Sequence, residues 1–119
     1  MEQAKGSHIQ KNIDLALRDG WYLNKHDYGN FYWWHATKCR KLHDGQKLPL
    51  VGQRAFHYHN DWNQLKSVAH NLLKVVRQRK NDDVRMQDTA YIREALLLED
   101  INEAHARIHR IALIIVPIT

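Results

Sequence analysis

The chain has 119 residues, a formal net charge of +5 and a sequence pI of about 9.5, with 18 Lys and Arg against 13 Asp and Glu. At this length a single domain over residues 1–119 is expected, burying roughly two-thirds of the surface that the unfolded chain exposes. The lone Cys39 excludes an internal disulfide framework. No basic-then-apolar leader pattern opens the chain and no apolar run nears the ~20 residues of a membrane span, so the expectation is a cytoplasmic protein with no membrane partner.

Ser7 and Gln10 have the spacing of a capping box, and Ile9, Ile13, Ala16 and Leu17 follow on one helical stripe. A helix over 8–19 is predicted, closed by Gly20, which adopts the left-handed backbone of a helix end without penalty. Next come Trp21–Lys25 and Phe31–Lys41, two aromatic-rich segments separated by the turn-like His26-Asp27-Tyr28-Gly29-Asn30. That composition predicts a hairpin. Asp44-Gly45 is a second turn signal, after which Lys47–Val51 and Arg54–His59 extend the sheet, with Pro49 confining its strand to an edge. The competing possibility makes residues 31–44 a helix capped by Asn30.

Asn60 or Asp61 caps the next helix, whose apolar positions Trp62, Leu65, Val68, Ala69, Leu72, Val75 and Val76 recur at helical spacing. It is predicted to end near Lys80, where Arg77, Arg79 and Lys80 complement the negative end of the helix dipole. Asn81-Asp82-Asp83 is the break. A last helix is predicted from Asp88 to about Ile115, stopped by Pro117, and a continuous helix of that length would run ~40 Å. Such a helix either overhangs its domain or breaks. An overhang ending in Ile111, Leu113, Ile114, Ile115 and Val116 would need a partner, and a homodimer through the C-terminal helix is expected. The fold class is therefore α+β: an N-terminal helix, a small antiparallel sheet of hairpins and two C-terminal helices, with an all-α bundle as the alternative.

Charge is segregated along the chain. Residues 28–80 hold ten Lys and Arg against Asp44 and Asp61, a local net of +8, whereas residues 81–119 hold four basic and seven acidic side chains. Ten of the eleven Phe, Trp and Tyr residues lie between Trp21 and Trp62. Basic side chains neutralise phosphates and exposed rings stack on unpaired bases, so this combination suits DNA or RNA. The phosphate-binding candidates are Lys38, Arg40 and Lys41 on the predicted hairpin, and Lys74, Arg77, Arg79 and Lys80 at the helix end. The bland alternative is that Trp33, Trp34, Phe56 and Trp62 are core and the charges a solvated face.

Nine histidines raise the question of a metal. His35, Cys39 and His43 recur every four residues, but a strand spreads even adjacent members ~13 Å apart, too far for one ion. His57 and His59 would share a strand face, and His105 and His109 form an i, i+4 pair. None has the Cys-x-x-Cys or His-Glu-x-x-His context of a specific site, so no metal or other cofactor is expected. His57, His59 and Lys66 can be assembled into an RNA-cleaving acid, base and anchor, as any basic His-rich chain allows. There is no phosphate-binding Gly-rich loop, nucleophile elbow or dinucleotide fingerprint, and no enzymatic activity is expected.

The leading functional expectation is a small basic nucleic-acid-binding protein, a regulatory or accessory factor using a surface between residues 38 and 80. The alternative is a protein-interaction module, an inhibitor or adaptor whose exposed aromatic and basic residues engage an acidic protein partner.

Overall fold

The structure, a computed structural model, describes residues 2–25, 31–35, 37–38, 40–43 and 56–117. These comprise four helices and one three-stranded sheet: α1 (Glu2–Arg18), β1 (Trp21–Lys25), β2 (Phe31–His35), β3 (Arg40–His43), α2 (Trp62–Arg77), α3 (Asp82–Leu96) and α4 (Ile101–Ile115). The class is α+β. The chain divides into two compact units, Met1–His57 and Tyr58–Thr119.

In the first unit α1 starts at Glu2, so Ser7 lies inside the helix and does not cap it. Its buried stripe is Ile9, Asn12, Leu15 and Ala16, with Ile13 and Leu17 only half-buried. The stripe is thus turned from the predicted one, because Asn12 is taken inside, where its amide donates to the Phe56 carbonyl at 3.4 Å. Gly20 has φ +103°, the positive value expected of the residue that ends the helix.

The strands form an antiparallel meander in the order β1-β2-β3. Trp21 pairs with His35, Tyr22 with Trp34 and Leu23 with Trp33, and on the other side Trp34 pairs with Lys41 and His35 with Arg40. The predicted strand Phe31–Lys41 is therefore two strands, and the chain reverses between His35 and Arg40. Alternation sends Trp21, Trp33 and His35 to one face, and Trp21, Trp33 and Phe56 form an edge-to-face cluster with centroids 5.7 and 4.8 Å apart across the Trp21–Phe56 and Trp33–Phe56 pairs. Such contacts add about 0.5–1.5 kcal/mol each beyond area burial.

The predicted turns at 26–30 and Asp44-Gly45 and the strand Lys47–Val51 with Pro49 lie outside the described residues. The described part of the predicted strand Arg54–His59 is not a strand, since residues 58–60 turn into α2.

In the second unit Asp61 caps α2, its Oδ1 accepting from the Asn63 and Gln64 N–H groups at 2.9 and 3.3 Å. Leu65, Val68, Ala69, Leu72 and Val76 are buried, while Trp62 and Val75 sit at the margin. Their partners are Ile92 and Ala95 of α3 and Ala104, His105, Ile108, Ile111, Ala112 and Ile115 of α4. Burying a large aliphatic side chain contributes about 1.5–3 kcal/mol, so this three-helix core is the unit's main support.

The predicted last helix from Asp88 to Ile115 is two helices. α3 starts earlier, at Asp82, capped by Asn81, whose side-chain oxygen accepts from the Val84 N–H at 3.2 Å. The chain then leaves the helix at Leu97–Asp100, where the Asp100 carboxylate accepts from the Asn102 N–H at 2.9 Å and starts α4. A short polar side chain that bonds its own following backbone competes with helix continuation. The break removes the overhang that called for a dimer partner: Ile111 and Ile115 are buried within the unit, although Leu113 and Ile114 remain 42% and 67% exposed. No helix of the described residues is long and apolar enough to cross a membrane.

Candidate nucleic-acid interface

The polar face of α2 carries a line of charge. Asn63, Lys66, His70, Lys74 and Arg77 are all exposed and spaced three or four residues apart, which stacks them along one side of the helix. From Lys66 to Arg77 the line runs about 17 Å at 1.5 Å per residue. α2 contains no acidic residue, so nothing within the helix neutralises the stripe. Lys74 and Arg77 also lie in its last turn, where cations complement the helix dipole.

Arg79 and Lys80 follow in the α2–α3 connection and are exposed. Arg79 is engaged within the fold. Its guanidinium donates to the Ile115 carbonyl at 2.9 Å, at the end of α4, whose own last turn has no basic residue. The Arg79 carbonyl accepts from the Arg85 guanidinium at 3.3 Å, and Arg85 is ion-paired with Asp82. Of the four candidates in this unit, Lys74 and Arg77 belong to the stripe, Lys80 lies beyond it and Arg79 is held by α4.

Beside Arg77, α3 presents an open groove of about 530 Å³ lined by Arg77, Arg85, Met86, Thr89, Ala90, Arg93, Glu94 and Leu97. Met86 and Leu97 are 69% and 82% exposed. Its lining thus combines exposed apolar side chains with three arginines and one carboxylate.

In the first unit Lys38 is exposed at the β2–β3 reversal. The register puts position 40 opposite the buried His35 and position 41 opposite Trp34, so Arg40 and Lys41 occupy positions on opposite faces of the sheet. Position 41 shares its face with Tyr22, Asn24, Tyr32, Trp34 and position 43, the face turned away from the Trp21–Trp33–Phe56 cluster. Tyr22 and Trp34 stay 58% and 37% exposed there, directly opposite one another on neighbouring strands.

His35 is a core residue. Its Nδ1 accepts from the Lys38 N–H at 3.1 Å, so Nε2 carries the proton and donates to the Asp19 carbonyl at 2.7 Å. Both ring nitrogens are thereby occupied, while Cys39 and the His43 side chain lie outside the described residues. His105 is buried with its ring centroid 6.2 Å from that of His59. Among the described residues no three His, Cys, Asp or Glu side chains gather closely enough to hold a metal ion.

Sequence reasoning named Lys66 only as an anchor for RNA cleavage and placed neither it nor His70 among the phosphate-binding candidates, although continuing the helical count backwards from Arg77 through Lys74 reaches both. Nor did it distinguish Trp33 from Trp34, which strand alternation separates: Trp33 is buried and Trp34 is not. Compared with known proteins, the chain matches no family model, no curated protein and no solved structure.

Proposed function

We propose that this chain is a small nucleic-acid-binding protein, acting in the cytoplasm as a regulatory or accessory factor. The observation that carries this is the alignment of the cations Lys66, Lys74 and Arg77 on one exposed face of a helix without an acidic residue. Nucleic-acid affinity comes largely from release of counterions condensed on the phosphates, and a line of cations on a rigid helix provides that release. Exposed Lys38 and Lys80 add to the same basic segment.

The test is fluorescence anisotropy of labelled DNA and RNA at two salt concentrations, with the parent chain and a Lys66→Gln, Lys74→Gln, Arg77→Gln variant. Binding that weakens with salt is expected, and the slope of log affinity against log salt should shrink by roughly 2–3 in the triple variant, about one for each phosphate that is no longer neutralised. Absence of binding at low salt overturns the proposal. Arg79 is kept intact so that the result does not depend on a loosened α4.

The arginine-lined groove on α3 favours a second reading, an acidic protein partner that inserts an apolar side chain between Met86 and Leu97. It predicts that Met86→Ser with Leu97→Ser abolishes partner capture while a Lys66→Gln, Lys74→Gln variant, which leaves the groove's Arg77 intact, retains it.

A further inference from the structure

We infer that the nucleic acid is single-stranded and that its bases stack on the exposed rings of Tyr22 and Trp34 on one face of the sheet. This rests on the nucleic-acid reading above and adds the form of the ligand.

The face is built by alternation and register. Across the three strands one row reads Tyr22, Trp34, Lys41 and the next reads Asn24, Tyr32, His43. Rows of a sheet repeat every ~6.8 Å along a strand, and neighbouring strands lie ~4.8 Å apart. Tyr22 and Trp34 therefore make a two-ring platform, with Tyr32 one step further along β2. The opposite face already contains Trp21, Trp33 and Phe56, so the aromatic excess of this unit is divided between a buried core and an exposed surface. Tyr22 and Trp34 form a cross-strand aromatic pair worth only about 0.2–1 kcal/mol to the sheet, and the apolar ring surface that Tyr22 leaves 58% exposed is what an unpaired base would cover.

Lys38 is exposed at the β2–β3 reversal, and position 41 on β3 stands in the row of Tyr22 and Trp34. No Asp or Glu occurs in β1, β2 or β3. Cations beside aromatic rings suit a strand that offers alternating phosphates and bases. A duplex cannot use the rings, because its bases already stack on one another and show only their edges. An acidic peptide would use the lysines but has no flat rings to place on Tyr22 and Trp34 unless its sequence supplies them.

The test uses the full chain and four labelled probes: a single-stranded oligonucleotide, its duplex, an abasic oligonucleotide with the same phosphates but no bases, and polyglutamate of equal charge. The expected result is preference for the single strand, with roughly ten-fold or greater loss of affinity for the abasic probe. Trp34→Ala and Tyr22→Ala should each weaken single-strand binding with an unchanged salt slope, since stacking releases no phosphate counterions, and Trp34→Phe should recover most of it. Equal affinity for the abasic probe, for the duplex or for polyglutamate overturns the inference. The abasic comparison needs no variant, so it holds even if a substitution disturbs folding. Nucleic-acid binding that depends on Lys66, Lys74 and Arg77 but not on bases removes this inference alone, whereas no binding to any nucleic acid removes the nucleic-acid reading as well.

Discussion

His35 donates its Nε2 proton to the carbonyl of Asp19, 2.7 Å away, and thereby ties the second strand to the end of α1. The other nitrogen accepts from the Lys38 N–H, so one buried ring joins a helix end to the β2–β3 reversal. The ring also stands edge-on to Trp21, with centroids 5.1 Å apart. His35→Ala leaves both backbone groups without this partner and opens a cavity beside Trp21. A loss of about 2–4 kcal/mol is expected, read as a lower urea midpoint with tryptophan fluorescence as the probe. An unchanged midpoint would show that the ring is not a structural tie.

Gly20 explains why that histidine fits. A Cβ at position 20 would lie 2.7 Å from the His35 Nε2, and the backbone there has φ +103°. Gly20→Ala therefore combines backbone strain with a collision, and a cost of about 2–3 kcal/mol is expected. The two components separate in a double-mutant cycle. In a His35→Ala background the collision vanishes and only the backbone cost remains, so the two losses should sum to less than additivity predicts. Additive losses would rule out the contact.

Arg79 illustrates a basic residue whose role is internal. Its guanidinium caps the C-terminal end of α4 through the Ile115 carbonyl. Arg79→Gln should lower stability by about 1–2 kcal/mol, the low side of the roughly 1.5–3 kcal/mol of a hydrogen bond to a charged group, because Arg79 is partly solvated. Lys74→Gln, on an exposed position of α2, should leave thermal stability within about 0.5 kcal/mol. Nucleic-acid affinity should show the opposite order, with Lys74→Gln weakening it more. The pair of measurements, melting and anisotropy on the same two variants, distinguishes a structural cation from a binding one.

Tyr91 carries a buried hydroxyl with no hydrogen-bond partner among the described residues, and its ring lies under the Arg107 guanidinium, 4.5 Å from the centroid. Removing the hydroxyl keeps the ring and relieves an unpaired polar group. Tyr91→Phe should melt at the same temperature or higher, with a gain of up to about 1 kcal/mol, whereas Tyr91→Leu should lose the cation–π contact and some packing. A Tyr91→Phe variant that is clearly less stable would mean that the hydroxyl is satisfied in solution.

Local chemistry alone made several elements legible. The apolar period that starts at Trp62, the Asp61 cap and the aromatic-rich strand Trp21–Lys25 each express a backbone preference within a few residues, and each appears in the fold, whereas of the predicted Phe31–Lys41 only Phe31–His35 forms one strand. The split of the last helix is a partial case. Asp100 is a capping signal, but the apolar period runs across it from Tyr91 to Ile115 without losing phase, and periodicity alone therefore predicts one helix where the chain forms two.

What the sequence by itself determined is the α+β class of the fold and the segregation of charge, because propensity, periodicity and formal charge belong to the chain before it packs. Tertiary structure decided which of those side chains remain available. Arg79 is captured by a carbonyl 36 residues away, His35 by one 16 residues away, and adjacent Trp33 and Trp34 end with one fully buried and the other exposed. These outcomes depend on contacts between distant segments. A basic residue or an indole looks the same in sequence whether its partner is a backbone carbonyl, a neighbouring ring or a ligand from outside, and only the packed chain distinguishes them.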